Sequence, residues 1–125
     1  MKTRNVTLSL IVILILLALG LARLYKEPVK REVFNRKPDE LIFTRHALCR
    51  MGCRQITKKE INEVMDKGAI HFNKSNQSAK PCPTYALQAR TNDGQYVRVI
   101  FAQCREETKV VTCYDLEREY SCDCP

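Results

Sequence analysis

The first 22 residues most restrict what this chain can fold into, because residues 5–22 contain no charged side chain. A transmembrane helix needs about 20 apolar residues, so this run is long enough to cross a bilayer. A helix that is apolar all round must lie in a membrane or in the core of a large protein. Too few residues remain to cover such a helix, so the sequence predicts a membrane anchor over residues 1–22, with residues 5–22 in contact with the bilayer.

A cleaved signal peptide is the alternative interpretation of the same segment. Lys2 and Arg4 form the short basic start of a signal peptide, and Gly20-Leu21-Ala22 offers small residues at a cleavage site. However, the apolar run is long for a signal peptide, and Arg23 directly after that site disfavours cleavage. We therefore expect an uncleaved anchor, with secretion after cleavage as the alternative.

Positive charge is concentrated directly after the apolar run. Residues 23–37 contain six Lys and Arg and two Glu, whereas residues 38–125 contain 13 basic and 12 acidic residues. We interpret residues 23–38, which include Pro28 and Pro38, as a linker whose basic side chains attract anionic lipid at about 1 kcal/mol each. The remaining domain is nearly neutral, which argues against a nucleic-acid partner, since such binding depends on neutralising phosphates. No protein partner is indicated.

All seven cysteines follow the apolar run. A domain of about 90 residues has a thin core and often needs cross-links, and dense cysteine after an export-type segment is typical of disulfides in an oxidising compartment. We therefore predict that residues 39–125 form a small disulfide-stapled domain in the periplasm, on a single-pass inner-membrane protein. The rule that basic flanks stay in the cytoplasm favours the opposite orientation, so the cytoplasmic side is the alternative location.

Local signals predict two helices followed by strands. Thr44 is a candidate N-cap for a helix over residues 45–51 that Gly52 ends, and Thr57-Lys58-Lys59-Glu60 has the pattern of a capping box that begins a helix ending at Gly68. Residues 41–43 form only a short extended segment. The period of the apolar residues then changes to two, which predicts strands over residues 69–73, 84–91, 95–103 and 109–115. The predicted class is α+β, with two short helices packed on a three- to four-stranded antiparallel sheet.

A hairpin loop at Asn92-Asp93-Gly94 defines a register between two of these strands. Counting outward from a three-residue loop pairs Thr91 with Gln95 and brings Cys82 opposite Cys104, which predicts a disulfide. The same count places these residues on one apolar face that should carry the helices: Tyr85, Leu87, Ala89, Val97, Val99 and Phe101. A two-residue turn at Glu106-Glu107 would place Cys113 opposite Ile100, too far from Cys104 for a bond, which leaves Cys113 as a buried odd thiol.

The other four cysteines lie in two close pairs. Cys49 and Cys53 are one helical turn apart, and Cys122 and Cys124 lie in the C-terminal tail. Two disulfides from tail to helix would hold the tail in place, but the sequence does not indicate which cysteine of one pair meets which of the other. The alternative is a zinc site with these four thiolates as ligands, for which the Cys-x-Cys spacing is tight. We otherwise expect no metal and no cofactor.

A second group of residues suggests a catalytic site, but this signal is less specific than that of the cysteines. His46, Arg50 and Arg54 recur at four-residue intervals, so they share one face of the predicted helix. With Tyr114, or with Arg98 or Thr112 from the sheet, they could hold a phosphodiester, with His46 as general base and the arginines stabilising charge on phosphorus. The alternative is an ordinary solvated helix face with a capping histidine, which we favour.

The residues also resemble a known family. The relevant strings are Phe43-Thr44-Arg45-His46-Ala47, Arg50-Met51, Arg54-Gln55-Ile56-Thr57, the Asp93-Gly94 turn, residues 97–101 and Val110-Val111-Thr112. Over about residues 41–115 they resemble the bacterial family called domain of unknown function 4258. The Cys-Pro-Thr-Tyr and Cys-Asp-Cys-Pro strings, together with the anchor, look like an exported, cysteine-rich branch in Bacteroidetes-type bacteria.

A more distant resemblance concerns topology alone. Two helices followed by a sheet is similar to the RelE-type toxin ribonucleases, which implies, as the alternative function, a metal-independent ribonuclease-like enzyme using His46, Arg50 and Arg54. The near-neutral and exported character of this chain departs from that group. Our leading expectation is therefore a non-catalytic binding or structural module at the membrane surface.

Overall fold

The computed structural model describes residues 2–25 and 33–125, and the chain divides into two compact units, Met1–Glu32 and Val33–Pro125. In the first unit, helix α1 spans Lys2–Leu24, and Thr3–Leu24 is long and apolar enough to cross a membrane. A signal sequence near an N-terminus can also satisfy these criteria of length and composition. Much of the predicted basic linker, residues 26–32, lies outside the described residues.

The second unit is α+β, as predicted. Its elements in chain order are β1 (Glu40–Phe43), α2 (Arg45–Arg54), α3 (Lys58–Lys67), β2 (Ala69–Ile70), a 3₁₀ turn (Phe72–Lys74), β3 (Thr84–Arg90), β4 (Tyr96–Gln103) and β5 (Glu107–Asp115). The five strands form one sheet in the order β1-β5-β4-β3-β2. The predicted antiparallel character holds for all pairs except β1 and β5, which are parallel. The short segment β1 becomes a strand because β5 offers it an open edge, which local sequence does not reveal.

The register predicted for the β3–β4 hairpin is confirmed. Tyr85 pairs with Phe101 and Leu87 with Val99. The loop closes as expected: the Thr91 amide donates to the Gln95 carbonyl over 2.8 Å, and Gly94 has φ = 88°, a conformation that favours glycine. The apolar face of this hairpin therefore lies toward the helices, as the count from the loop requires.

The core lies between that face of the sheet and the two helices. Helix α2 contributes Ala47 and Met51, and α3 contributes Ile61 and Val64, all buried against the sheet. Phe34 was not anticipated, since it falls within the predicted linker. It is 1 % exposed, and its ring centroid lies 5.5 Å from that of Phe101. A side chain from before β1 thus completes the core.

Two helix ends differ from their predicted form. Helix α2 continues through Gly52 and ends at Arg54, and its C-cap Gln55 takes the left-handed conformation at φ = 56°. Gly68 does end α3, but in an extended conformation, where a Cβ atom would overlap the Val64 carbonyl oxygen. Glycine is therefore needed at position 68 for space rather than for its backbone freedom.

The register of β5 also differs from the prediction. Gln103 pairs with Thr108, and a β-bulge interrupts β5 opposite Ile100 and Phe101. Cys113 consequently lies opposite Val99 rather than Ile100, on the face that the helices cover. It is buried and forms no disulfide, as predicted.

The capping box at Thr57 predicts a measurable loss of stability. The Thr57 hydroxyl accepts from the Glu60 amide over 3.2 Å, and the Glu60 carboxylate accepts from the Thr57 amide over 2.9 Å. Thr57→Ala should lower the free energy of unfolding by about 1 kcal/mol, the usual loss of an N-cap, as measured by urea denaturation of the oxidised protein. Thr57→Ser is the matched control and should be nearly neutral. An unchanged midpoint for the alanine variant would contradict the cap.

Candidate functional site

Helix α2 lies along the part of β5 that β1 does not reach. At its start, the Thr44 hydroxyl donates to the Val110 carbonyl over 3.0 Å and caps α2 by accepting from the Ala47 amide. At its end, the Arg54 guanidinium donates to the Cys113 carbonyl. Side chains at both ends of α2 therefore donate hydrogen bonds to main-chain carbonyl oxygens of β5. Arg54 thus has a structural role.

The guanidinium of Arg54 also lies over the ring of Tyr114, with Cζ 4.8 Å from the ring centroid. Such a contact is a cation–π interaction, worth about 0.5–1 kcal/mol at an exposed site. Tyr114 is 40 % exposed, so its ring forms part of the surface next to the end of α2. The structure thus brings together these two predicted site residues.

His46 and Arg50 form a hydrogen-bonded chain with the C-terminal tail. Nδ1 of His46 lies 2.6 Å from the Pro125 main-chain oxygen, and Nε of Arg50 lies 3.4 Å from His46 Nε2. One assignment satisfies both contacts, in which His46 Nδ1–H donates to Pro125 and His46 Nε2 accepts from Arg50. Both ring nitrogens of His46 are then engaged in a neutral imidazole.

Two disulfides attach residues 121–125, which we call the strap, to α2. Cys49 is bonded to Cys124 and Cys53 to Cys122, with Cα atoms 5.8 Å and 5.9 Å apart. The strap therefore runs antiparallel to α2. Four helical residues advance about 6 Å and two extended residues about 6.6 Å, which is why a Cys-x3-Cys helix fits a Cys-x-Cys strap.

A third disulfide joins Cys82 to Cys104, whose Cα atoms are 5.0 Å apart, close to the ends of β3 and β4. The prediction of disulfide bonds is thereby confirmed, and the open question of which tail cysteine meets which helix cysteine is answered. The alternative zinc site would require the four sulfurs of the strap and α2 as thiolates, but in the structure they are bonded in pairs. Within residues 2–25 and 33–125, no cluster of three or more His, Cys, Asp or Glu has the arrangement of a metal site.

Arg98 and Thr112 lie on the opposite face of the sheet from α2. Arg98 pairs with Tyr114 across the strands, and its Nε donates to the Gln88 side chain over 2.9 Å. A concavity of about 400 Å³ on this side is lined by Arg98, Tyr114 and the 115–119 segment. His46, Arg50 and Arg54 do not line it, so the six residues that the sequence suggested for phosphodiester chemistry are not gathered around this concavity.

Glu60 is a buried charged residue whose full environment the sequence did not reveal. It is 2 % exposed, and beyond the capping box its Oε1 accepts from the Thr91 hydroxyl over 2.9 Å. This contact ties the start of α3 to the β3–β4 loop. The capping-box pattern identified Glu60, but the contact with Thr91 joins residues 31 positions apart, which no local signal could indicate.

Cys113 is the one thiol that the three disulfides leave, and its environment is unreactive. Burial raises the pKa of the Cys113 thiol to about 11, although the positive charges of Arg54 and Arg50 oppose this rise. Only the thiolate is nucleophilic, so a buried thiol with a raised pKa does not suit redox or covalent chemistry. We therefore regard Cys113 as a core residue.

Comparison with known proteins identifies a family for the central part of the chain. A family model described as Domain of unknown function (DUF4258) matches residues 43–115. No curated protein and no solved structure matches the chain. The matched region begins at the last residue of β1 and ends with β5, so it contains α2 but neither α1 nor the strap.

The burial of Cys113 predicts its reactivity. In the native oxidised protein at pH 8, iodoacetamide should label no cysteine, because a pKa of about 11 leaves about one thiol in a thousand ionised. Raising the pH to 10 increases the ionised fraction to about one thiol in ten, so labelling should become faster but stay slow, because burial still restricts access to the sulfur. After denaturation in urea without reductant, mass spectrometry should find one labelled residue, Cys113. Rapid labelling of the native protein would contradict its burial.

Proposed function

Because the chain belongs to the family of the domain of unknown function 4258, a description that names no activity, we propose a function from its own residues. We propose a non-catalytic binding or structural module that α1 tethers to the bacterial inner membrane and that faces the periplasm. The observation that carries this proposal is the set of three disulfides within Val33–Pro125. Disulfides of this kind persist in oxidising compartments and are rare where thiols are kept reduced.

The N-terminal helix supports the tethered part of the proposal. Thr3–Leu24 is long enough to span a bilayer, and its large apolar side chains are exposed within the first unit. Such a surface is stable in lipid but not in water. The basic residues among positions 23–37 would then lie at the membrane surface and attract anionic lipid. The alternatives are a domain on the cytoplasmic side and secretion after cleavage.

The contacts of the candidate catalytic residues support the non-catalytic part. A general base needs a ring nitrogen within reach of the substrate proton, whereas both nitrogens of His46 are engaged with Arg50 and Pro125. Arg54 is engaged with the Cys113 carbonyl and the Tyr114 ring. These side chains therefore hold the strap, α2 and β5 together.

The partner of the module is to be sought among envelope components rather than nucleic acids, since residues 38–125 are nearly neutral.

Labelling thiols on intact cells tests orientation and redox state together. A membrane-impermeant maleimide should label no cysteine without reductant, and should label the strap and α2 cysteines after treatment with an impermeant phosphine. The full-length protein should also remain in the membrane through a carbonate wash. Labelling that appears only after cell lysis would place the domain in the cytoplasm, and a mature N-terminus at Arg23 would show cleavage.

A ribonuclease-like enzyme is the alternative function, and one observation favours it. His46, Arg50 and Arg54 share one face of α2, and Arg54 lies against Tyr114. If this alternative is correct, the purified protein should cleave RNA without a metal ion, and His46→Ala should abolish cleavage while the protein stays folded. His71→Ala is the matched control, because it removes the other histidine. Absence of cleavage by the parent protein, or full activity of His46→Ala, would exclude the alternative.

A further inference from the structure

We propose that the strap is a reversible cover over an oxyanion-binding surface formed by His46 and Arg50, and that reduction of its two disulfides opens this surface. The inference deepens the proposed binding function, on which it rests, by assigning a surface, a ligand class and a means of regulation. The ligand class is a carboxylate or phosphate group. The strap and α2 alone form this surface and its cover, so the tether and the compartment are tested separately.

An oxygen acceptor from the strap already occupies this surface. The Pro125 main-chain oxygen lies 2.6 Å from Nδ1 of His46, so an oxygen atom is the group that this position accepts. This oxygen belongs to the strap itself. A ligand oxygen would take the same place once the strap has left, and the neutral or protonated imidazole would donate to it.

Arg50 has hydrogen-bond donors that its contact with His46 does not use. Its Nε donates toward His46, and within the described residues its remaining guanidinium N–H groups have no hydrogen-bond partner. A guanidinium presents its donors in a planar fork that matches carboxylate and phosphate oxygens. Arg50 therefore adds a positive charge and an unused pair of donors next to Nε2 of His46, on the other side of the imidazole ring from the Pro125 oxygen.

Two disulfides attach the strap to the surface that it covers. The disulfides at Cys49 and Cys53 lie on either side of Arg50 along α2, and all four of their cysteines are half-buried. In the remaining disulfide Cys82 is 9 % exposed and Cys104 is half-buried, so an external thiol has access to that bond only from the side of Cys104. An external dithiol would reduce each strap disulfide, which takes up two electrons and two protons to form two thiols while the dithiol is oxidised to a disulfide.

The region that matches the family includes the proposed surface on α2 but not the strap. Residues 43–115 match the family, whereas the strap follows them. The proposed surface on α2 therefore belongs to the family domain, and its cover is a separate segment. The buried contacts between the helices and the sheet involve no strap residue, so the domain should keep its fold when the strap is released.

Histidine modification on the full-length protein in detergent tests the proposal. Diethyl pyrocarbonate modifies accessible imidazoles, and His71 serves as an internal reference. In the oxidised protein His46 should react slowly. After dithiothreitol has opened the strap disulfides, its rate should rise about tenfold, the equivalent of about one net hydrogen bond. Inorganic pyrophosphate should then slow the reaction of His46 in the opened protein only, and Arg50→Gln should abolish this protection.

Two double variants distinguish the effect of releasing the strap from the effect of losing the fold. Cys122→Ser with Cys124→Ser should behave like the reduced protein, whereas Cys82→Ser with Cys104→Ser should leave His46 protected. Persisting unreactivity of Cys113 shows that the core is intact. The proposal is overturned if His46 stays slow after the strap opens, or if pyrophosphate protects it equally in both states or in neither. Exposure of Cys113 in both opened forms also overturns it, because the strap would then maintain the fold.

Discussion

The pairing of β3 with β4 determines which side chains face the helices. The hairpin loop at Asn92-Asp93-Gly94 sets this register, and a shift by one residue would turn Leu87 and Val99 away from the core. The same register brings Cys82 and Cys104 to within bonding distance. Because β4 also pairs with β5, and β5 with β1, the positions of the remaining central strands follow from this hairpin.

Helix α2 connects this sheet to the strap and carries three of the candidate site residues, His46, Arg50 and Arg54. One side of the helix is buried through Ala47 and Met51, and its ends bind carbonyl oxygens of β5. Another side carries His46, Arg50 and the two cysteines that hold the strap. The spacing of those cysteines is that of one helical turn, so the strap can be attached only if this segment is helical.

Helix α2 carries both positive charge, through its arginines, and the cysteines that form the two strap disulfides. The arginines of α2 are the positive charges nearest Cys113, yet burial dominates and keeps that thiol protonated at neutral pH. The disulfides between α2 and the strap are different, because all four of their cysteines are half-buried and open to exchange. Burial thus distinguishes the inert Cys113 from the two reducible bonds of the strap, and this difference is what makes a releasable strap chemically reasonable.

Signals within a few residues determined much of this fold. The caps at Thr44 and Thr57, the Asn92-Asp93-Gly94 loop and the alternation along β3 and β4 act over one turn or one hairpin, so the sequence alone predicted them. Because that alternation extends to Cys82 and Cys104, the position of the third disulfide could also be counted from the loop.

Only the tertiary structure decided the contacts that join distant residues. These are the parallel pairing of β1 with β5, the insertion of Phe34 into the core, the hydrogen bond that the Thr91 hydroxyl donates to Glu60, and the antiparallel attachment of the strap to α2. Their partners lie roughly 30 to 75 positions apart in the chain. The physical reason is that such contacts depend on how the packed elements meet in space, and no local pattern of residues records that arrangement.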